Sequence, residues 1–295
     1  MNKRGYKTLR LAVIFGILIT IHAVDLSADA QTQIEDTIAQ MSREEKTGQM
    51  LVVSPAQMTE TKDWTADMDT VIRNVEAYHI GGILLFAEDL QKVEAVKSLT
   101  ASLADQGNVP VLIMADPSGN LKEGLTKPSL DKKEDDAAIL GTGQLMTGEN
   151  ATWAYSLAEK PSEELAALGV AVEIRPEAGE ALAVVTHEKV TNPMDDGRPA
   201  SMSKSMVTMT LKEVFLGAVM TDSLSMTSAE ENYGADMAVM YALQAGADIL
   251  TMPENPVNAY YGILSAIDEQ LVTEAQIDAS VDKVLELKKT LGLLQ

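Results

Sequence analysis

The chain has 295 residues, 46% of them hydrophobic, enough for one large domain or two small ones. Its 44 acids against 23 bases give a formal charge of -21, which repels phosphate backbones and argues against nucleic acid as a partner. Without cysteine it has no disulfide, thiol nucleophile, thiolate metal site or lipid-modified N-terminal Cys.

Residues 1–30 read as an export signal. Lys3, Arg4, Lys7 and Arg10 form a positive start, Leu11 to Val24 an apolar core, and Ala28-Asp29-Ala30 a small-x-small cleavage site. Cleavage after Ala30 places the folded part, from Gln31 onward, outside the cytoplasm. The alternative is that the same segment stays as an N-terminal anchor.

Residues 31–50 are expected to be helical, with Ser42-Arg43-Glu44-Glu45 as a capping box. Leu51-Val52-Val53 is a short strand. Val71, Ile72, Val75 and Tyr78 keep helical spacing, which sets a helix near 65–78. Gly81 to Phe86 is a second buried strand, and Leu90 to Ala104 a helix. Val109 to Asp116 is a third strand, ending on a carboxylate. Residues 117–135 form a polar loop, and Leu140 to Leu168 is expected to be mostly helical. Residues 170–174 and 181–187 are the fourth and fifth strands, the latter ending on His187.

Ser203 to Phe215 is a helix, followed by the strand at 217–222. That strand is an apolar run closed by Asp222 and turning straight into Ser223-Leu224-Ser225-Met226. An α/β barrel presents reactive side chains in this way, at the C-terminal ends of its strands. The same Asp could instead cap the next helix through its first amide groups. A helix at 235–245, a strand at 247–252 and helices at 257–269 and from Thr273 complete the chain. Thr273-Glu274-Ala275-Gln276 offers the last helix a capping box.

Strand and helix alternate, so the class is α/β with a mainly parallel sheet. The count is seven strands, whereas a closed barrel wants eight. Only residues 175–180 join the fourth and fifth strands. A crossover between parallel strands needs a dozen or more residues, so a hairpin or kinked continuation is expected there. The barrel is therefore read as interrupted, with a βα segment missing near 175–180.

Several stretches, in order, resemble glycoside hydrolase family 3, in its single-domain β-N-acetylhexosaminidase branch. They are Met41 to Met50, Tyr78 to Phe86, Glu163 to Val170, Pro199-Ala200-Ser201-Met202-Ser203, Val219 to Met226, and Ala245 to Leu250. The resemblance implies a TIM-type (β/α)8-like barrel that cleaves terminal N-acetylglucosamine with retention. It implies that Asp222 is the nucleophile, forming a glycosyl-enzyme intermediate that water hydrolyses. It also places Asp116 among the sugar-binding residues and His187 beside the site as a second substrate-binding residue.

The departures from the family lie in two places. After the third strand the family's Asp-x-Glu-Gly-Gly becomes Asp116-Pro117-Ser118-Gly119-Asn120. The segment with the family's substrate-binding Arg, Lys-His pair and acid/base His loop is missing at the short joint. His187 or Glu177 could stand in as the acid. The alternative readings are a satisfied strand-end histidine and a solvated turn residue.

His79 sits at the wrong end of its strand for a barrel site and reads as structural. Outside the signal the chain has only His79 and His187, which lack metal-ligand spacing, so no metal or other cofactor is expected. Gly141-Thr142-Gly143 lacks the rest of a phosphate loop. Ser203-Lys204 fits a helix start better than a Ser-Lys pair. Glu134-Asp135-Asp136 and Glu230-Glu231 read as solvated faces. Met202, Met206, Met209, Met220 and Met226 read as core.

The sequence thus gives two readings. One is an exported, monomeric glycosidase acting on cell-wall or related glycans, with no membrane contact beyond its signal. The other is a pseudoenzyme that binds saccharide without cleaving it.

Overall fold

The structure, a computed structural model, describes residues 28–61, 63–104, 107–116, 156–159, 163–175, 182–187, 197–213, 215–226 and 233–294. Most of the export signal, the 117–135 loop, Gly141-Thr142-Gly143, both acid runs and Glu177 lie outside these residues.

Helix α1 (Ala28–Gln40) leads into α2 (Arg43–Gln49). The break between them is Ser42, whose Oγ accepts the Glu45 N–H at 3.1 Å while the Glu45 carboxylate accepts the Ser42 N–H at 2.7 Å. This is the expected capping box, set at the start of α2. The candidate cleavage motif falls in the first turn of α1.

The chain continues through β1 (Leu51–Val53), α3 (Met68–Ala77), β2 (Gly82–Phe86), α4 (Ala87–Leu90), α5 (Val93–Ala104) and β3 (Leu112–Asp116). Next come β4 (Ser156–Glu159), α6 (Glu163–Ala166), β5 (Val172–Arg175) and β6 (Leu182–Val185). The last part holds a 3-10 turn at Ala200–Met202, α7 (Lys204–Met206) running into a π-helical turn at Val207–Leu211, and β7 (Ala218–Thr221). It ends with α8 (Ala235–Ala245), β8 (Leu250–Thr251), α9 (Pro256–Asp268) and α10 (Glu274–Thr290).

The eight strands form one sheet in the order β7-β6-β4-β5-β3-β2-β1-β8. All seven strands read from the sequence are present and mutually parallel. The eighth, β4, lies antiparallel between β5 and β6. It falls in the stretch expected to be mostly helical, and of that stretch only α6 is a helix among the described residues. The expected hairpin or kinked continuation between the strands on either side of residue 180 is also corrected. β5 and β6 do not pair with each other, because β4 separates them. The register explains how a short joint suffices: Leu157 faces Arg175, the last residue of β5, on one side and Ala183, the second of β6, on the other, so β6 begins about level with the end of β5 and the joint has little strand length to retrace.

Alternation along the strands gives the sheet two faces. Val52, Leu84, Leu112, Met114, Val172, Leu182, Val184, Ala218, Met220 and Ile249 form one interior cluster. Leu51, Val53, Ile83, Leu85, Ile113 and Ala115 face the helices. A cluster fed by every other residue of successive strands is the filled interior of a barrel. The ends of the sheet meet through a single parallel bridge, Met220 to Ile249. The Thr221 N–H donates to the Ile249 carbonyl at 3.0 Å, and the Asp248 N–H to the Val219 carbonyl at 2.7 Å. The fold is thus an α/β barrel of the (β/α)8 type, incomplete in its parallel strands.

Val284 and Leu287 of α10 join the interior cluster, and Leu291 and Leu293 pack against it. The C-terminal helix therefore stops the N-terminal mouth of the barrel. Thr273 caps it by accepting the Gln276 N–H at 3.1 Å. The Gln276 side chain does not return to close a capping box; it donates to the Leu243 carbonyl at 2.8 Å and ties α10 to α8. Met202, Met206 and Met220 are core as expected, but Met209 and Met226 are more than half exposed.

Candidate active site

β3 ends on Asp116, and β6 and β7 run directly into Thr186-His187 and Asp222. All three predicted site residues therefore stand at the C-terminal rim. Along the interior face Met114 is followed by Asp116, and Met220 by Asp222, so alternation carries both carboxylates to the inner side of that rim. Asp116 is paired in register with Phe86, which packs on the interior cluster.

Asp222 is held by its backbone, whose N–H donates to the Val185 carbonyl at 2.8 Å. Its Oδ1 accepts the Ser223 N–H at 2.7 Å. This bond to the adjacent amide is as far as a capping role goes, for no amide of the following turn reaches the carboxylate among the described residues. The side chain is half-buried.

His187 has partners on both sides of its ring. Nδ1 lies 2.6 Å from Ser201 Oγ, and Nε2 lies 2.8 Å from the Ser223 carbonyl oxygen. A carbonyl only accepts, so Nε2 carries hydrogen, and in the neutral ring Nδ1 accepts from the serine hydroxyl. Both ring nitrogens are thus engaged by protein groups. Sequence reading noticed Pro199 to Ser203 but gave Ser201 no role. The available signal was a serine in a fixed motif shortly after a strand-end histidine.

A cavity of about 360 Å³ lies at the other end of the molecule. Gln49, His79, Ile80, Val109 and Val111, which line it, all precede their strands. It belongs to the N-terminal face, away from Asp222. His79 lies on this face, at the end of its strand opposite Asp222, and has a left-handed backbone with φ of 52°. Among the described residues, no cluster of His, Asp or Glu could hold a metal ion.

Two carboxylates and a histidine thus stand at strand ends on the face where α/β barrels carry their active sites. Residues 177–287, which include His187, Ser201 and Asp222, match the family model described as the glycosyl hydrolase family 3 N terminal domain. No curated protein sequence matches the chain. Among solved structures, it is similar to a family 3 β-N-acetylglucosaminidase from Paenibacillus sp. str. FPU-7 (TM-score 0.56, 18% identity, covering 86% of this chain and 63% of that one). LpqI of M tuberculosis is also similar (TM-score 0.57, 19% identity, covering 85% and 95%). So is the β-N-acetylglucosaminidase of Thermotoga maritima (TM-score 0.54, 18% identity, covering 84% and 68%). The chain spans less than two thirds of the Paenibacillus enzyme. At these identities the structural likeness shows the fold. The family match adds a resemblance to the family 3 glycoside hydrolases over residues 177–287.

Proposed function

We propose that the chain is an exported glycosidase that removes terminal N-acetylglucosamine from cell-wall or related glycans with retention. The observation behind this reading is the Asp222 carboxylate at the C-terminal end of β7, inside the stretch that matches the family. One of its oxygens is tied to the Ser223 amide, and the other has no partner among the described residues. That free oxygen attacks the anomeric carbon while the glycosidic C–O bond breaks. Water then attacks the glycosyl ester and returns the carboxylate. Asp116, on the same rim, accepts hydrogen bonds from sugar hydroxyls.

The departing oxygen needs a proton unless it is a good leaving group, and a positioned acid is worth roughly 10²–10⁴-fold. The purified chain should therefore release 4-nitrophenolate from 4-nitrophenyl N-acetylglucosaminide, and Asp222→Ala should abolish the release. No release by folded protein from acid to neutral pH overturns the reading.

The second reading, saccharide binding without turnover, draws on His187. With both ring nitrogens against protein, it is not poised to protonate a leaving oxygen. Calorimetric binding of N-acetylglucosamine oligomers by a chain that releases no nitrophenolate would decide for it.

A further inference from the structure

Four groups link three segments of the rim. Ser201 is fully buried in the 3-10 turn before α7, and its N–H donates to the Thr186 carbonyl at 3.1 Å. That bond docks the turn on the residue preceding His187, which brings the Ser201 hydroxyl to Nδ1 at 2.6 Å. His187 Nε2 then reaches the Ser223 carbonyl at 2.8 Å, and the Ser223 N–H reaches Asp222 Oδ1 at 2.7 Å. The same turn is tied on its far side, where the Ser225 N–H donates to the Met252 carbonyl at 2.9 Å beyond β8. Ser223 and Ser225 share a hydroxyl contact at 2.9 Å.

A neutral imidazole has two tautomers, and the partner of one nitrogen decides which persists. Only the form with hydrogen on Nε2 can donate to the Ser223 carbonyl. The carbonyl therefore selects the tautomer, and the Ser201 hydroxyl, which can turn to donate, completes the pairing at Nδ1 and fixes the plane of the ring. Loss of the hydroxyl would leave the ring held at one nitrogen only, free to swing about its bond to the Ser223 carbonyl.

We infer that Ser201 and His187 are positioning residues for Asp222: Ser201 anchors the imidazole at Nδ1, and His187 holds the Ser223 carbonyl, fixing the residue whose N–H binds the carboxylate so that it stays aimed into the barrel mouth. The inference rests on the reading of Asp222 as nucleophile, but its first readouts need no turnover. Neither residue touches the sugar. Both act through the turn, so their loss should lower kcat with little change in KM. A misplaced reacting group costs on the order of 100-fold.

The test uses the whole chain labelled with 15N. In the wild type the His187 ring should show hydrogen on Nε2 alone, and in Ser201→Ala that Nε2 proton should move upfield as the unanchored ring loosens from the Ser223 carbonyl. The Ser223 amide proton should move upfield in Ser201→Ala as its bond to Asp222 loosens. With 4-nitrophenyl N-acetylglucosaminide, Ser201→Ala should lose roughly 10- to 100-fold in kcat at unchanged KM, and Ser201→Thr, which keeps the hydroxyl, should recover it. A mixed-tautomer ring in the wild type overturns the inference without any variant. An unmoved His187 Nε2 proton and an unmoved Ser223 amide in folded Ser201→Ala overturn it as well. If the wild type shows the expected ring and amide signals but no turnover, the hydrolase reading falls while the positioning network stands.

Discussion

The Lys288 ammonium donates to Gln49 Oε1 at 2.6 Å, and the Gln49 amide passes the connection to the His79 carbonyl at 3.0 Å. Lys288 is fully buried where α10 stops the barrel, and its described hydrogen-bond partner is a neutral amide. Burial pushes its ammonium down from 10.5 to about 7. Between those values the unfolded chain holds a proton that the folded chain has released. Stability should therefore rise with pH across that window, by up to about 1.4 kcal/mol per pH unit, and be flat in this respect below it. Thermal melts of the wild type and Lys288→Met check this. The wild type should gain on the variant as pH rises through the window, and parallel curves would refute it.

Asp248 is fully buried just before β8. It accepts from Lys212 Nζ at 2.6 Å and from the Val219 N–H at 2.9 Å, joining the two ends of the sheet. Desolvation raises its pKa against the pull of Lys212. Asp248→Ala leaves the Val219 amide unpaired and the lysine without its partner, at a cost of about 3–5 kcal/mol. Urea unfolding should show the loss as a lower midpoint. A change within about 0.5 kcal/mol, as for an ordinary surface site, would count against the role.

Gly81 and Gly48 let α2 and the approach to β2 touch through their backbones. The Gly81 N–H donates to the Gly48 carbonyl at 2.8 Å, and a Cβ on Gly81 would sit 2.1 Å from the Gln49 carbonyl oxygen. The obstacle is main chain, which no rotamer change relieves. Gly81→Ala should cost about 3 kcal/mol and lower the melting temperature. Gly262→Ala, with open space at its Cβ position, is the control and should be neutral or better.

His79 ends α3 in the left-handed conformation, while the following Ile80 N–H reaches back to the Val75 carbonyl at 2.9 Å. Glycine is the residue this position prefers. His79→Gly should stabilise the chain by about 0.5–1 kcal/mol. A destabilised variant would mean that the imidazole contributes something the backbone argument omits.

The parallel strands were legible because each is a short apolar run with punctuation at its ends, and burial on both faces writes such runs plainly. The C-terminal rim was legible for the same reason, since Asp116, His187 and Asp222 each interrupt an apolar run. β4 was not legible: Ser156-Leu157-Ala158-Glu159 lies in a stretch of good helix formers, and its strand state comes from pairing on both sides. The role of Ser201 was hidden because it depends on a side chain 14 positions away in sequence. Lys288 was invisible as a buried group, since its neighbours Leu287 and Lys289 give the helix end an ordinary amphipathic look.

The seam where β7 meets β8 has a consequence for how a guest could enter. Every other junction around the wall is a ladder of paired residues, whereas this one rests on a single bridge and a few amide bonds. Splaying the wall here would break the Thr221-to-Ile249 bond and the ties of Asp248 and Ile249 to Val219, and the strand on one side of the opening is the one that ends in Asp222. Amide hydrogens of residues 219–221 should accordingly exchange with solvent sooner than those of 83–85, which marks this side as the hinge of the rim.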